Sequence, residues 1–275
     1  MVSASPALLA FDAMAPAFDQ RFSGWRSVAA QRRAVRRELL DAFPPGSRLL
    51  ELGGGTGVDA IFMADQGREV LLTDGAPAMV ARANQNIRAV GLSHRVSTQL
   101  LAIEQLPDFA SQRAARPLFQ GAYSNFAAFN CVSDYEAAGL ALARLLEPGS
   151  PLVLVVFGTL CPMEMLVQLM RVDLRAAFRR LRSGPVAARL GGQHFTVHYP
   201  SSREFQSAFA PYFQLERIRG IGVCVPPSAA EPAISSWPRL LSALERLDRF
   251  ASRPFARLGD HVLLRFTRTH APAES

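Results

Sequence analysis

The sequence predicts an α/β fold, a mostly parallel sheet with helices on both faces. Three observations carry that expectation. Short apolar runs alternate with helical stretches from residue 47 to residue 157. The first of these runs opens into a glycine loop, Gly53-Gly54-Gly55-Thr56-Gly57, which leads into a helical stretch. Leu152 to Phe157 is apolar throughout, as in a strand covered on both faces.

Residues 11–43 read as helix: Arg32, Arg33, Arg36 and Arg37 alternate with Ala34, Val35, Leu39 and Leu40 at helical spacing, and Pro44-Pro45-Gly46 ends it. Arg48 to Leu52 is the first strand. A helix follows over Val58 to Gln66, closed by Gly67. The second strand, Glu69 to Thr73, ends at Asp74. Pro77 to Val90 is helical and closed by Gly91; Val96 to Ala102 is the third strand. Ala122-Tyr123 is the next apolar run and leads into Ser124-Asn125. Helix Tyr135 to Leu146 and the turn Pro148-Gly149 precede the run at 152–157. Beyond it the rhythm changes. Residues 161–190 form a long basic amphipathic stretch, and Arg203 to Ala210 looks helical. Phe213 to Val223 and His261 to Thr269 look like strands, with helical periodicity over Pro238 to Phe250 between them. With no repeats and no convincing linker, one domain is expected. Its parts would be a helical cap (1–43), a core (44–158), an insertion (159–200) and C-terminal strands with a helical insertion (201–275).

Composition narrows the chemistry. Of 275 residues 49% are apolar and 19% charged, enough for a core of ordinary size without disulfides or metal. The 3 cysteines, Cys131, Cys161 and Cys224, are far apart, which argues against a disulfide scaffold and a zinc site and for a reducing compartment. The net charge is +7, and all 30 basic residues are arginine. A genomic base-composition bias explains the missing lysine. Its absence excludes Schiff-base chemistry and a P-loop of the G-x-x-x-x-G-K-[ST] kind. Met1 to Asp19 has no basic region ahead of an apolar stretch, so no signal peptide is expected. The apolar run 151–162 is short of the roughly 20 residues of a spanning helix. A cytoplasmic protein without a membrane partner is the expectation.

The glycine loop is the strongest chemical signal. At the carboxyl ends of parallel strands, such a loop brings backbone and a helix N-terminus close to a ligand. Asp74, ending the next strand, is placed to accept from both hydroxyls of a ribose. Gly55 to Ala60 formally fits G-x-G-x-x-A, the dinucleotide fingerprint. Glu51 to Gly57 also fits E-x-G-x-G-x-G, with an acid at the strand tip. A carboxylate there would repel a pyrophosphate but tolerate a cationic amino-acid tail, so it favours a ligand without phosphates.

At these residues the sequence resembles the class I S-adenosylmethionine-dependent methyltransferases. RLLELGGGTG is similar to that family's first motif and LLTDGAPAMVARA to its second. FQGAYSNFAAFNCV resembles the fourth-strand motif, LARLLEPGSPLVLVVFG the approach to the fifth strand, and FDAMAPAFDQ an N-terminal Y-D-x-x-A-x-x-Y-D stretch that covers the cofactor. The resemblance implies a Rossmann-like sheet of seven strands, the last antiparallel, and S-adenosyl-L-methionine as cofactor. It implies a cofactor site built from Glu51, Gly53, Gly54, Gly55 and Gly57. Asp74 would hold the ribose, beside Gly75, with Met79 near the adenine. Ser124, Asn125 and Phe126 would face the methionine end. Ala102-Ile103 stands where many members carry Asp-Ala, so a backbone N–H near Ile103 or Glu104 takes over at the adenine. Phe18 stands where a tyrosine is usual and lacks its hydroxyl; Gly54, often cysteine, is expected to be harmless.

The family moves a methyl group from a sulfonium to a nucleophile in line, so the protein mainly aligns the two and excludes water. Ser124-Asn125-Phe126-Ala127 departs from the [ND]-P-P-[YF] of enzymes that act on base amino groups. It fits better with small-molecule enzymes acting on oxygen, nitrogen or carbon, and a small, largely apolar acceptor methylated at oxygen is the expectation. Met163, Met165, Met170, Phe178 and Phe195 are candidates for an apolar pocket under a lid at 158–200. His194 and His198 share one face if their segment is a strand, so either is a candidate base. No third metal ligand accompanies them, and no metal is expected. Tyr123 is a further candidate for contact with the acceptor, and His261 reads as structural. Arg171, Arg175 and Arg179 fall on one helical face and, with Arg180, Arg182 and Arg189, form a basic stripe. An RNA methyltransferase using that stripe, a dinucleotide-dependent oxidoreductase and a noncatalytic partner subunit are the alternatives. No RNA-binding module is recognisable. Oligomeric state is left open, a homodimer included.

Overall fold

The computed structural model describes residues 5–113, 117–182 and 184–270. Residues 1–4 and 271–275, the outer ends of the expected cap and C-terminal parts, lie outside it. The expected N-terminal helix is two helices, α1 (Pro6–Ser23) and α2 (Arg26–Ala42), which part at Gly24 and Trp25. The Ser5 hydroxyl caps α1 by accepting from the Leu8 N–H at 3.3 Å. The core then alternates strand and helix: β1 (Arg48–Leu52), α3 (Val58–Asp65), β2 (Glu69–Asp74), α4 (Pro77–Ala89), β3 (Val96–Leu100), α5 (Leu106–Gln112), β4 (Gly121–Ser124), α6 (Tyr135–Leu145) and β5 (Pro151–Phe157). These bounds agree with the expected ones to within about two residues, a normal uncertainty at element ends. Helix α5 was not anticipated.

The last third holds α7 (Pro162–Met170), α8 (Leu174–Ala177), the hairpin β6 (Val186–Leu190) and β7 (Gln193–Val197), α9 (Ser202–Phe209), β8 (Phe213–Ile221), α10 (Pro238–Ala251) and β9 (His261–Arg268). The seven-stranded sheet has the order β3-β2-β1-β4-β5-β9-β8. β1 to β5 are mutually parallel, and β9 runs antiparallel to both β5 and β8. β8 therefore runs in the same direction as β1 to β5, and β9, the last strand in the chain, alone runs against the other six.

Successive strand residues point to opposite faces and build two cores. Leu50 and Leu52 join Phe129, Phe205, Phe209 and Phe266 beneath α5, α6 and α9. Leu49 joins Val35, Leu39, Phe43, Met63 and Tyr123 beneath α2, α3 and α4. Glu51 shares this second face and pairs in register with Tyr123 of β4.

Residues 161–190 are not one amphipathic helix. The chain breaks at Val172, whose φ of 59° is left-handed, and the Asp173 carboxylate then caps α8 by accepting from the Ala176 N–H at 2.9 Å. Arg171 and Arg175 therefore lie on separate elements, and the expected single stripe does not form. Arg180 leaves it altogether: it is buried, donates to Glu164 and, at 2.6 Å, to Asp260, and ties α7 to the start of β9. Among the described residues no helix is long and apolar enough to cross a membrane.

Candidate functional site: a cavity at the carboxyl ends of the strands

The β1–α3 turn forms the floor of a cavity, with Gly53, Gly54 and Gly55 in its lining. Gly54 and Gly53 both permit close approaches. A Cβ at Gly54 would lie 2.6 Å from Leu72 Cγ and 2.9 Å from Glu51 Oε2, so the cysteine common at this place would not fit without movement. Gly53, at φ 64°, would bring a Cβ to 2.4 Å from that of Ala128. Gly57 does not line the cavity. It stands at φ 84° as the N-cap of α3 and backs onto Ala83.

Two carboxylates face this floor. Asp74 Oδ2 accepts from the Gly55 N–H at 2.8 Å and Oδ1 from the Ala76 N–H at 2.9 Å. Each oxygen keeps a lone pair, so together they can accept from a pair of adjacent hydroxyls. Burial raises the Asp74 pKa, partly offset by those two N–H groups. Glu51 is buried, and its Oε2 has no hydrogen-bond partner. Burial, reinforced by the nearby Asp59 charge, holds its pKa well above the usual carboxylate range. A buried acceptor left open at a cavity wall suits a cationic or hydrogen-bond-donating ligand.

Gly75 and Met79 continue the wall from β2 into α4, and Ile103 and Glu104 close it beyond β3. Ile103 and Glu104 open a short 3-10 turn, whose first N–H groups have no acceptor within the turn. From β4, Asn125 and Phe126 line the cavity. Phe126 and Ala127 take the left-handed φ values 50° and 73°, a strained turn for side-chain-bearing residues. Ser124 does not reach the cavity; its hydroxyl donates to the Leu52 carbonyl at 2.9 Å inside the sheet.

Helix α1 supplies the roof with Leu8, Phe11 and Phe18. Both aspartates of the FDAMAPAFDQ segment fasten it. Asp12 accepts from the Ala78 N–H at the start of α4, at 2.6 Å. Asp19 accepts from the Thr56 hydroxyl at 2.5 Å and from Asn86 at 3.0 Å, and pairs with Arg82 at 3.2 Å. Ala15 is buried against Ala76 and Met79.

The three residues expected to act on the acceptor are not in the cavity. Tyr123 is fully buried against Phe43, behind Glu51; burial and the Glu51 charge push its phenol well above its ordinary pKa. His194 is exposed on β7, a strand whose hairpin packs against α1. His198 lies past the end of β7, so the two imidazoles do not share a strand face. Its backbone N–H donates to the Asn130 carbonyl at 2.8 Å, and its carbonyl accepts from Asn130 Nδ2 at 2.7 Å. Nor do Met163, Met165, Met170, Phe178 or Phe195 line the cavity; Phe195 rests against Phe11 on the outside of α1. His261 is buried between Phe126 and Phe157, and burial lowers its pKa, with the neighbouring Asp260 charge opposing. Among the described residues no group of His, Cys, Asp and Glu could hold a metal ion.

Sequence reasoning missed a charged network on the cavity wall. Asp59, in the first turn of α3, accepts from Arg32, from Arg36 Nε at 2.9 Å and from Asn125 Nδ2 at 2.7 Å. Arg32 also lies over the Phe126 ring at 4.8 Å. Because Asp59 can only accept, it fixes the Asn125 amide with Nδ2 toward the carboxylate. Asn125 Oδ1 is left buried and without a partner. Two signals were present: an acid in the otherwise apolar first turns of α3, and two arginines four apart on α2.

The chain belongs to the methyltransferase-domain family, whose model matches residues 25–212. It is a methyltransferase domain on a Rossmann-like fold. It is similar to the tRNA 5-carboxymethoxyuridine methyltransferase of Escherichia coli (strain K12), 28% identical over 153 residues, which are 54% of this chain and 56% of that protein. The chain thus spans about half the length of the curated relatives it matches. Among the solved structures that share the fold are two methyltransferases. The geranyl diphosphate C-methyltransferase of Streptomyces coelicolor A3(2) is 15% identical with a TM-score of 0.53, over 86% of this chain and 77% of that one. An S-adenosylmethionine-dependent methyltransferase of Mesorhizobium loti is 20% identical with a TM-score of 0.52, over 87% and 98%.

Proposed function

We propose that the protein transfers the methyl group of S-adenosyl-L-methionine to a small, largely apolar acceptor, at oxygen. The observation that carries the reading is the cavity itself. A ribose-type carboxylate and a buried, unpartnered carboxylate oxygen converge there beneath a roof of Leu8, Phe11 and Phe18. In this reading Asp74 accepts from the two ribose hydroxyls, and Glu51 Oε2 takes the ammonium of the methionine part. Met79 and Ile103 flank the adenine, and the Ile103 or Glu104 N–H donates to its edge. The cofactor supplies an already activated methyl, which passes in line to the acceptor as its bond to sulfur breaks. The protein holds the two in contact and keeps water out. With no histidine in the cavity the reading assigns no protein base, which suits an acceptor oxygen that ionises unaided.

Thermal unfolding with S-adenosylhomocysteine, and in parallel with NAD(H) and NADP(H), tests the cofactor. At about 100 times its dissociation constant a ligand stabilises by roughly 2.7 kcal/mol. A raised midpoint with S-adenosylhomocysteine alone is expected; one with a nicotinamide cofactor alone would restore the dinucleotide reading.

A second reading, a tRNA acceptor, is favoured by the likeness to the Escherichia coli enzyme and by the excess of arginine. Transfer of labelled methyl from S-adenosylmethionine to bulk tRNA, with binding that weakens steeply with salt, would replace the small-molecule acceptor.

A further inference from the structure

Large apolar side chains left in solvent are concentrated in two stretches of this protein. Leu166, Leu169, Met170, Val172, Leu174 and Phe178 are exposed on and between α7 and α8. Trp237, Leu240, Leu247, Phe250 and Phe255 are exposed on and around α10. Isolated exposed apolar residues are ordinary, whereas contiguous ones mark an interaction surface.

Topology brings the two stretches to one end of the molecule. Helix α7 follows the C-terminal end of β5, and α10 lies between the end of β8 and the start of β9. In the antiparallel pairing Phe157 of β5 faces His261 of β9, which faces Ile221 of β8. Both insertions therefore leave the sheet at its carboxyl end, where the cavity lies. Helix α7 packs on residues 228–230 and α10 on residues 233–236, so one short segment joins their supports.

Charge selects the partner. On α10, Leu240, Ala243, Leu247 and Phe250 recur at helical spacing and form one exposed stripe. Arg239, Arg246, Arg249 and Arg253 recur beside it and are also exposed. Arg171, Arg175 and Arg182 accompany the α7–α8 stretch. None of these seven forms an ion pair among the described residues. The nearby acids are already engaged: Glu164 by Arg179 and Arg180, Glu245 by Arg33, and Asp248 by the Cys224 N–H. Asp173 caps α8.

We propose that the carboxyl end of the molecule, through α7, α8 and α10, docks on an anionic lipid surface. An amphipathic helix with Trp, Leu and Phe on one stripe and arginines beside it meets the requirements of such an interface: apolar side chains enter the acyl boundary while cations meet the headgroups. A second copy packed on a two-fold axis would set arginine against arginine. RNA would leave the aliphatic Leu166, Leu240 and Leu247 without a complementary surface. The docked face lies at the same end of the sheet as the cavity, so an acceptor dissolved in the lipid would be delivered to that end. Docking itself is independent of the methyl-transfer reading.

Co-sedimentation of the full chain with phosphatidylcholine vesicles, with and without phosphatidylglycerol, tests the proposal. Binding is expected only with phosphatidylglycerol present, and weakening with added salt. The double variant Leu247→Glu/Phe250→Glu should reduce partitioning by about 100-fold, since two apolar anchors are lost. Arg246→Glu/Arg249→Glu should reduce it about fivefold or more for each arginine. All four residues are exposed, so the thermal midpoint and its shift with S-adenosylhomocysteine should match the unaltered protein. That shift also separates failure of docking from failure of the cofactor reading. The proposal is overturned by absence of vesicle binding, by equal binding to neutral vesicles, or by variants that bind normally. It is also overturned if Leu247→Glu/Phe250→Glu dissolves a concentration-dependent dimer instead, or if tRNA and not vesicles is bound.

Discussion

Glu51 and Asp74 are both buried acids with raised pKa values, but their surroundings differ. Asp74 is held by two backbone N–H groups, whereas Glu51 Oε2 is open. Replacing Glu51 by Gln removes the charge and keeps the shape. It should therefore weaken S-adenosylhomocysteine binding by about 1.5–3 kcal/mol, the worth of a charged hydrogen bond, while raising or preserving the stability of the free protein. Asp74→Asn should weaken the same ligand and also loosen the glycine loop, because an amide cannot accept from both Gly55 and Ala76 N–H groups. Isothermal titration beside thermal unfolding separates the two effects. Normal binding by both variants would remove the site assignment. Asn125 makes a third case. Asn125→Leu deletes one of the two partners of Asp59 Oδ2, Arg32 remaining as the other, and also removes the open Oδ1, so it should cost no more than about 1 kcal/mol of stability in urea unfolding.

At the scale of elements, one buried side chain, Arg180, joins α7 to the start of β9. Arg180→Met would leave Glu164 and Asp260 buried without their shared cation, and should destabilise by about 3–5 kcal/mol in urea unfolding. Helix α1 is held differently, by Asp12 and Asp19 across the cavity. Asp19→Ala should lower S-adenosylhomocysteine affinity by about tenfold while changing stability by only about 1 kcal/mol, since its pairs are partly exposed. Faster amide exchange confined to α1 would accompany it. The elements themselves were legible in the sequence because periodicity and glycine punctuation are local. β1, the glycine loop, α3 and Asp74 stand where the residues placed them. The roles of His194 and His198 were not legible, since they depended on where β7 ends and on what the hairpin packs against. Nor was the Arg32–Asp59–Asn125 network, whose members are 27 and 66 residues apart. The outward aim of Met170 and Phe178 followed from the break at Val172, which no glycine or proline announces.

For the whole molecule, two sets of acids pull stability in opposite directions with pH. Asp19, Glu245 and Asp260 have folded pKa values below their ordinary ones. For Asp19 and Asp260 burial alone would do the reverse, but their hydrogen-bond and ionic partners outweigh it; Glu245 is lowered chiefly by its hydrogen bond to Arg33. Their stabilisation is complete above the unfolded values, 3.8 for the aspartates and 4.5 for the glutamate, and is lost as pH falls through the folded ones. Glu51 and Asp74 are raised, so they cost stability as pH climbs from 4.5 and 3.8 toward their folded values. The ligand-free protein should therefore lose stability on both sides of a mildly acidic optimum. A ligand that presents an ammonium to Glu51 and hydroxyls to Asp74 favours the charged carboxylates and reverses the second loss. The midpoint of the S-adenosylhomocysteine complex should accordingly pull away from that of the free protein as pH rises. Differential scanning calorimetry from acid to neutral pH, with and without ligand, measures this gap. In Glu51→Gln it should become shallower, because one of the two linked protons is gone. A gap independent of pH in the unaltered protein would mean that neither carboxylate changes its proton when the cavity fills.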